Sequence, residues 1–342
     1  VKCIRIKNRI SRVLLGVIAV SVLFGCGKEE FALPYGSMDN NHNFTLEPEE
    51  QQKELDLFAA DYAAVSGDKT DTVSLNTSDL KAAGLYDIRN KEVCYSYNAF
   101  ARLDPASLTK LMTALIVFEN CSRLDDVITI GDVSIGEEGV QRFGLKAGDR
   151  VTVRDLLNIM LVQSGNDAAL ALARYVGENS YRPDDDTQVI DPVDNFVLMM
   201  NARASSLGCT ATNFVNPHGL TTEGHYSSAY DLYLIFNELI KYPQFLEIIR
   251  QDSVTITYNT AEGEVKSRTV TSTDQYLTKG YSTPDNVSVL GGKTGSTASA
   301  GKCLILYAEN ADGNPFIAII MGAEDSDILY GTMSELLKIT NS

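Results

Sequence analysis

Pro105-Ala106-Ser107-Leu108-Thr109-Lys110-Leu111-Met112-Thr113-Ala114-Leu115-Ile116-Val117-Phe118 decides how the rest of this chain is read. Pro105-Ala106-Ser107 opens a helix, and Leu111, Met112, Leu115 and Phe118 then recur at helical spacing. Upstream, residues 82–88 and 92–97 flank Arg89-Asn90-Lys91 and read as a β-hairpin. Downstream, Thr152-Val153-Arg154-Asp155 has the form of a capping box ahead of the apolar run 156–162. Ser164-Gly165-Asn166 breaks that run, and further helices are expected at 167–176, 196–207 and 229–239. The period then changes. Residues 254–258 and 265–271 turn around Glu262-Gly263, and 302–308 and 316–321 turn around Asp312-Gly313, before a closing helix at 334–339. Strands at both ends of the sequence with helices between them imply an α+β fold. One central, mostly antiparallel sheet, flanked by helices, is assembled from both ends, with a helical lobe inserted.

The chain has 342 residues, 44% of them hydrophobic and 22% charged, an ordinary globular composition. Its net charge of −16 is unevenly placed. Residues 1–25 carry five cations (Lys2, Arg5, Lys7, Arg9, Arg12) and no acid, which leaves 24 cations against 45 acids, or −21, in the remainder. A body that acidic repels a phosphate backbone, so nucleic acid is excluded as a partner. The basic start and the apolar run 13–24 read as a signal peptide, since a bilayer span takes about 20 residues. Leu23-Phe24-Gly25-Cys26-Gly27 resembles a bacterial lipobox, although Phe24 is larger than usual there, so a lipid on Cys26 is the expected membrane anchor. Residues 26–78 are polar and acidic, as a tether requires, with 58–65 apolar enough to pack as an extra strand. The folded domain is then expected over 79–342. Cys94, Cys121, Cys209 and Cys303 allow three disulfide pairings or none, and their spacing fits no zinc site.

Hydrolysis without a metal or a His–Asp pair needs a nucleophile, a base and donors for the developing oxyanion. His42, His218 and His225 all sit in loop-forming sequence, so a serine nucleophile here needs a lysine base. Ser-x-x-Lys sets both side chains one helical turn apart on one face. The pattern occurs at Ser66/Lys69, Ser78/Lys81, Ser107/Lys110 and Ser299/Lys302. Only Ser107 opens a long apolar helix, where free N–H groups and the dipole favour a negative oxygen. Ser164-Gly165-Asn166 follows between two helices, and Lys293-Thr294-Gly295 occurs once, behind Gly291-Gly292.

This ordered set of three motifs is shared by β-lactamases and penicillin-binding proteins. From residue 82 to 337 the chain resembles the D-alanyl-D-alanine carboxypeptidases, the low-molecular-mass penicillin-binding proteins. Asn216-Pro217-His218-Gly219-Leu220 adds to the likeness. The resemblance implies a serine β-lactamase/DD-peptidase-like fold and release of the terminal D-alanine from peptidoglycan stem peptides, with no cofactor or metal. It implies Ser107 as acyl-ester nucleophile, Lys110 as base, Ser164 as proton relay and Asn166 as a partner of Lys110 and the substrate amide. Lys293 and Thr294 would bind the terminal carboxylate, Gly295 would let the peptide lie on the strand edge, and the N–H groups of Ser107 and Ser296 would form the oxyanion hole. β-Lactams would acylate the same serine. Well-known members add a C-terminal β-rich domain and membrane helix, so anchoring is expected from the N-terminus, at the outer face of the cytoplasmic membrane. Some members also carry an arginine after the final strand, where this chain has the acidic Gly322-Ala323-Glu324-Asp325. A DD-endopeptidase would use the same residues on cross-links. A β-lactamase would need a Glu-x-x-Leu-Asn motif between 167 and 292, which is missing. A β-lactam sensor or wall-binding module would acylate once and stay acylated.

Overall fold

The hairpin at the start of the domain forms as read, with β1 at Ala82–Asp87 and β2 at Glu92–Tyr97. It belongs to a computed structural model that describes residues 62–71, 75–136, 140–180 and 190–341. These lie in the second of two units, Leu57–Ser342; Val1–Asp56, with the expected signal segment, Cys26 and His42, lies outside the described residues. A 3-10 turn at Ala106–Leu108 leads into α1, Thr109–Asn120. Then come β3 (Val127–Thr129), β4 (Arg150–Thr152), α2 (Val153–Leu161) and α3 (Asn166–Ser180). Helices α4 (Pro192–Ser206), α5 (Ala229–Leu239) and α6 (Pro243–Ile249) follow. The chain ends in β5 (Ser253–Asn259), β6 (Val265–Thr271), β7 (Val287–Thr297), β8 (Gly301–Asn310), β9 (Pro315–Ala323) and α7 (Ser326–Lys338).

The main sheet runs β2-β1-β9-β8-β7 with every neighbouring pair antiparallel. It is built from both ends of the domain, as expected. Both faces are covered, so its inner strands bury side chains on both sides. Ile317, Ile319 and Met321 of β9 face the helical core around α1 and α5, while Phe316, Ala318 and Ile320 face α7. Each buried Leu or Ile contributes about 1.5–3 kcal/mol. Helix α1 is buried on every side over residues 109–117, which makes it the post around which lobe and sheet are arranged. At the start of α2, Thr152 accepts from the Asp155 N–H at 3.0 Å and donates to its carboxylate at 2.8 Å.

Three expectations are corrected. The β5–β6 hairpin is outside the main sheet and forms a second one, β3-β4-β5-β6, joined through Arg150 opposite Asn259. The 26–78 tether runs too far. Ala63 is fully buried and its N–H donates to Tyr233 Oη at 2.8 Å, and Tyr62 Oη donates to Glu238 at 2.7 Å. The extra strand expected at 58–65 is not one where it is described: 62–65 is irregular, and the bridge to the sheet falls at Lys69, opposite Ser96. Strand β7 itself, with Gly291, Gly292 and Gly295, carries too little side chain to announce a strand by alternation.

Candidate active site

Ser107 sits in the 3-10 turn one step before α1, and the turn is braced from three sides. Ala106 adopts φ 47°, a strained value for a residue with a side chain. Its N–H donates to Asp104 Oδ1 at 2.9 Å, and its carbonyl accepts from Thr109 Oγ1 at 2.8 Å. His225 Nε2 lies 2.8 Å from the same Thr109 hydroxyl. Because His225 Nδ1 accepts from the Val215 N–H at 2.9 Å, the ring proton is on Nε2 and is donated to Thr109. Burial pulls the His225 pKa down to about 4 and keeps the ring neutral. Gly219, at φ 86°, closes the third side: a Cβ there would stand 1.9 Å from the Ala106 carbonyl oxygen.

Lys110, fully buried, projects one turn on from Ser107. Its Nζ lies 2.8 Å from Ser107 Oγ, 2.6 Å from Asn166 Oδ1 and 2.6 Å from the His218 carbonyl. Burial, then the neighbouring charge of Lys293, hold its pKa well below the usual lysine range, against an opposing pull from Asp167. A neutral amine has two N–H groups and one lone pair. The two oxygens on Asn166 and His218 can only accept, so they take the protons and leave the lone pair facing the Ser107 hydroxyl. The loop that supplies the His218 carbonyl is held by Asn216 Oδ1, which accepts from the Gly219 N–H at 2.7 Å, and by Thr113, which donates to Pro217 O at 2.6 Å.

Lys293 enters from β7. Its Nζ donates to Ser164 Oγ at 2.9 Å and to the Thr294 carbonyl at 2.8 Å, and it is 1% exposed. Burial lowers its pKa to about 7, with Asp274 opposing. Asp274 is itself raised to about 6 by burial. Ser164, at φ 66°, occupies the break between α2 and α3. Asp167 beside it accepts from the Phe143, Gly144 and Leu145 N–H groups, which fastens the 140–145 loop over the site.

Two cavities meet at Ser107. One is lined by Gln141, Asn166, Leu220, Thr221 and Thr297, the other by Ser164, Thr273, Gln275, Thr294, Lys302 and Tyr330; Ser296 borders both. Strand β7 is an edge strand of the main sheet. Its Gly295 packs on the turn that carries Ser107, where a Cβ would lie 3.1 Å from both Pro105 O and Ser107 N. The missing side chain therefore brings the strand against the serine as well as leaving the edge clear.

The three motifs thus converge, and Ser107 is the one Ser-x-x-Lys serine bonded to its own lysine. Lys69 Nζ instead donates to Val93 O, and Lys81 Nζ to Ser299 O. Sequence reasoning missed Asp104, whose Oδ2 accepts from Thr221 at 2.6 Å and Thr297 at 3.2 Å and so ties three walls together. It also gave His225 no part in the site. Among the described residues, no group of His, Cys, Asp and Glu could hold a metal. Cys121, Cys209 and Cys303 are thiols.

A family model described as D-alanyl-D-alanine carboxypeptidase matches residues 69–325. The D-alanyl-D-alanine carboxypeptidase DacF of Bacillus subtilis is 33% identical over 254 residues, covering 72% of this chain and 58% of that protein. DacC of Escherichia coli is 32% identical over 276 residues, 78% of this chain and 62% of that protein. The chain spans about three fifths of the length of these curated relatives. Among solved structures, the Streptomyces K15 DD-transpeptidase superposes with a TM-score of 0.67 at 27% identity, covering 79% of this chain and 98% of that one. Penicillin-binding protein D2 of Listeria monocytogenes in its cefotaxime-bound form gives 0.61 at 27% identity, covering 79% and 99%.

Proposed function

Because this chain belongs to the D-alanyl-D-alanine carboxypeptidase family, we propose that it removes the terminal D-alanine of peptidoglycan stem peptides through an acyl-enzyme on Ser107. The observation that carries this reading is the Lys110 amine, fully buried and 2.8 Å from Ser107 Oγ, with two obligate acceptors on its other sides. Lys110 takes the hydroxyl proton as Oγ attacks the D-Ala–D-Ala carbonyl. The N–H groups of Ser107 and Ser296 receive the oxyanion. Ser164, held by Lys293, passes a proton to the departing amine, and Asn166 orients both Lys110 and the substrate amide. Lys293 and Thr294 supply field and hydroxyl on the carboxylate side. Water then hydrolyses the ester and returns Ser107 to its starting state. A β-lactam presents the same carbonyl with a leaving group that cannot diffuse away, so it traps the serine.

The working place in this reading is the outer face of the cytoplasmic membrane, with residues 1–25 removed and Cys26 lipidated; its support is the sequence alone. No described helix is long and apolar enough to cross a membrane. A second reading, transfer of the acyl group to an amine instead of water, draws on the likeness to the Streptomyces K15 DD-transpeptidase, of which this chain covers 98%. Incubating the protein with an N-acylated peptide ending in D-Ala-D-Ala, with and without glycine as acceptor, tests both. Free D-alanine with the shortened acid as product supports the carboxypeptidase. A glycine-capped product supports transfer. Absence of D-alanine in both sinks the proposal.

A further inference from the structure

The two lysines read as functional from the sequence lie beneath the floor of the site. Lys110 and Lys293 are 0% and 1% exposed, and neither lines either of the two cavities at Ser107. Among the described residues, the one charged side chain that does line the cavities at Ser107 is Lys302. It lies on β8 opposite Ser296 of β7, while Thr294 lies opposite Leu304. Cross-strand partners share a face, and so do residues two apart on a strand, so Thr294, Ser296 and Lys302 all face the same cavity. Thr273, whose hydroxyl is 2.5 Å from that of Thr294, and the side chains of Gln275 and Tyr330 close it.

No acid lines either cavity among the described residues, and the Lys302 ammonium has no ion pair or hydrogen bond among them. A protein whose charge outside residues 1–25 is −21 repels an anionic peptide end at long range. An unpartnered cation in a neutral polar cavity beside the nucleophile offsets that repulsion locally. It can also make a charge-assisted hydrogen bond to a carboxylate.

We infer that Lys302 binds the terminal carboxylate of the substrate directly, with the Thr294 hydroxyl as its companion donor. Lys293 then acts through Ser164, one layer below. This deepens the function proposed above and rests on it. Lys302 becomes the residue that makes the site select a free carboxyl terminus. It does so from the last of the four Ser-x-x-Lys sequences, where it pairs with no serine.

The test compares the wild-type protein with Lys302→Met and Lys302→Arg on two N-acylated peptides, one ending in D-Ala-D-Ala and one in D-Ala-D-alaninamide. A hydrogen bond to a charged group corresponds to a loss of about tenfold to a hundredfold when one partner is removed. Lys302→Met should lose that much kcat/KM on the acid, mainly through KM, and Lys302→Arg should recover most of it. The wild type should lose a similar factor on going to the amide, and the two losses should not add. Unchanged kcat/KM on the acid, or equal losses on acid and amide, would overturn the inference. Benzylpenicillin separates this failure from that of the parent reading. A wild-type protein with no adduct and no D-alanine release overturns the enzyme itself, whereas Lys302→Met acylating at the wild-type rate overturns the role of Lys302 alone.

Discussion

Lys110 is the residue on which the proposed chemistry depends. A guanidinium keeps the charge and cannot accept a proton near neutral pH, so Lys110→Arg should lower acylation per folded molecule by about 10²–10⁴-fold. Stopped-flow acylation run beside thermal melts checks this, and a folded variant acylating normally would refute the base assignment. Lys293 makes a prediction about pH. Burial lowers its pKa in the folded protein to about 7, below the 10.5 of an ordinary lysine. Between those values the unfolded chain binds the extra proton, so this group makes stability rise with pH across that window. Urea titrations at pH 7 and pH 9 should show a smaller rise in Lys293→Met than in the wild type, and an identical rise would contradict the assigned shift. Ser107, Lys110, Ser164, Asn166 and Lys293 could be read from the sequence because motif order and helical spacing constrain them. Asp104 and His225 could not, since the partners through which they join the site's walls lie 117 and 193 residues away for Asp104 and 116 for His225. Their nearer bonds, from the Ala106 and Val215 N–H groups, are those of ordinary turns and loops.

At the scale of elements, the decisive packing is that of the Ser107 turn between the 216–220 loop and β7. Gly219 has φ 86° and no room for a Cβ beside Ala106 O. Gly219→Ala should cost more than about 1 kcal/mol from backbone strain alone. Because the clash pushes on the turn that carries Ser107, acylation should fall further than the loss of folded protein explains. A Tm and an acylation rate both equal to wild type would show the turn is not braced there. Hairpin β1–β2 and helix α5 match their sequence readings to within a residue or so, because turn residues and apolar period agree. Only the end of α7 was expected, since its first half opens with the polar Ser326-Asp327 and holds Gly331. The β5–β6 hairpin itself falls outside the single sheet expected for it, because alternation reports a strand and says nothing of its neighbour.

At the scale of the molecule, the sheet covered on both faces and the buried α1 form a rigid frame that carries three motifs far apart in sequence. The α+β class followed from the order of periods along the chain. Packing of the inner end of the tether followed from the apolar stretch 58–65, but its irregular form did not, because the bonds of Tyr62 and Ala63 to α5 leave no periodic trace. Membrane attachment tests the other end of the chain: Cys26→Ser should leave the membrane fraction or retain its signal segment while keeping activity in detergent. A mature N-terminus downstream of Cys26 would rule the lipid out. In the proposed mechanism one serine of the four Ser-x-x-Lys sequences is the nucleophile, selected by its turn and its lysine. The protein should be labelled with a fluorescent penicillin, digested, and the adduct located by mass spectrometry. A single adduct is expected, on Ser107 and absent from Ser107→Ala; an adduct on Ser66, Ser78 or Ser299, or one that survives Ser107→Ala, would contradict the assignment of Ser107.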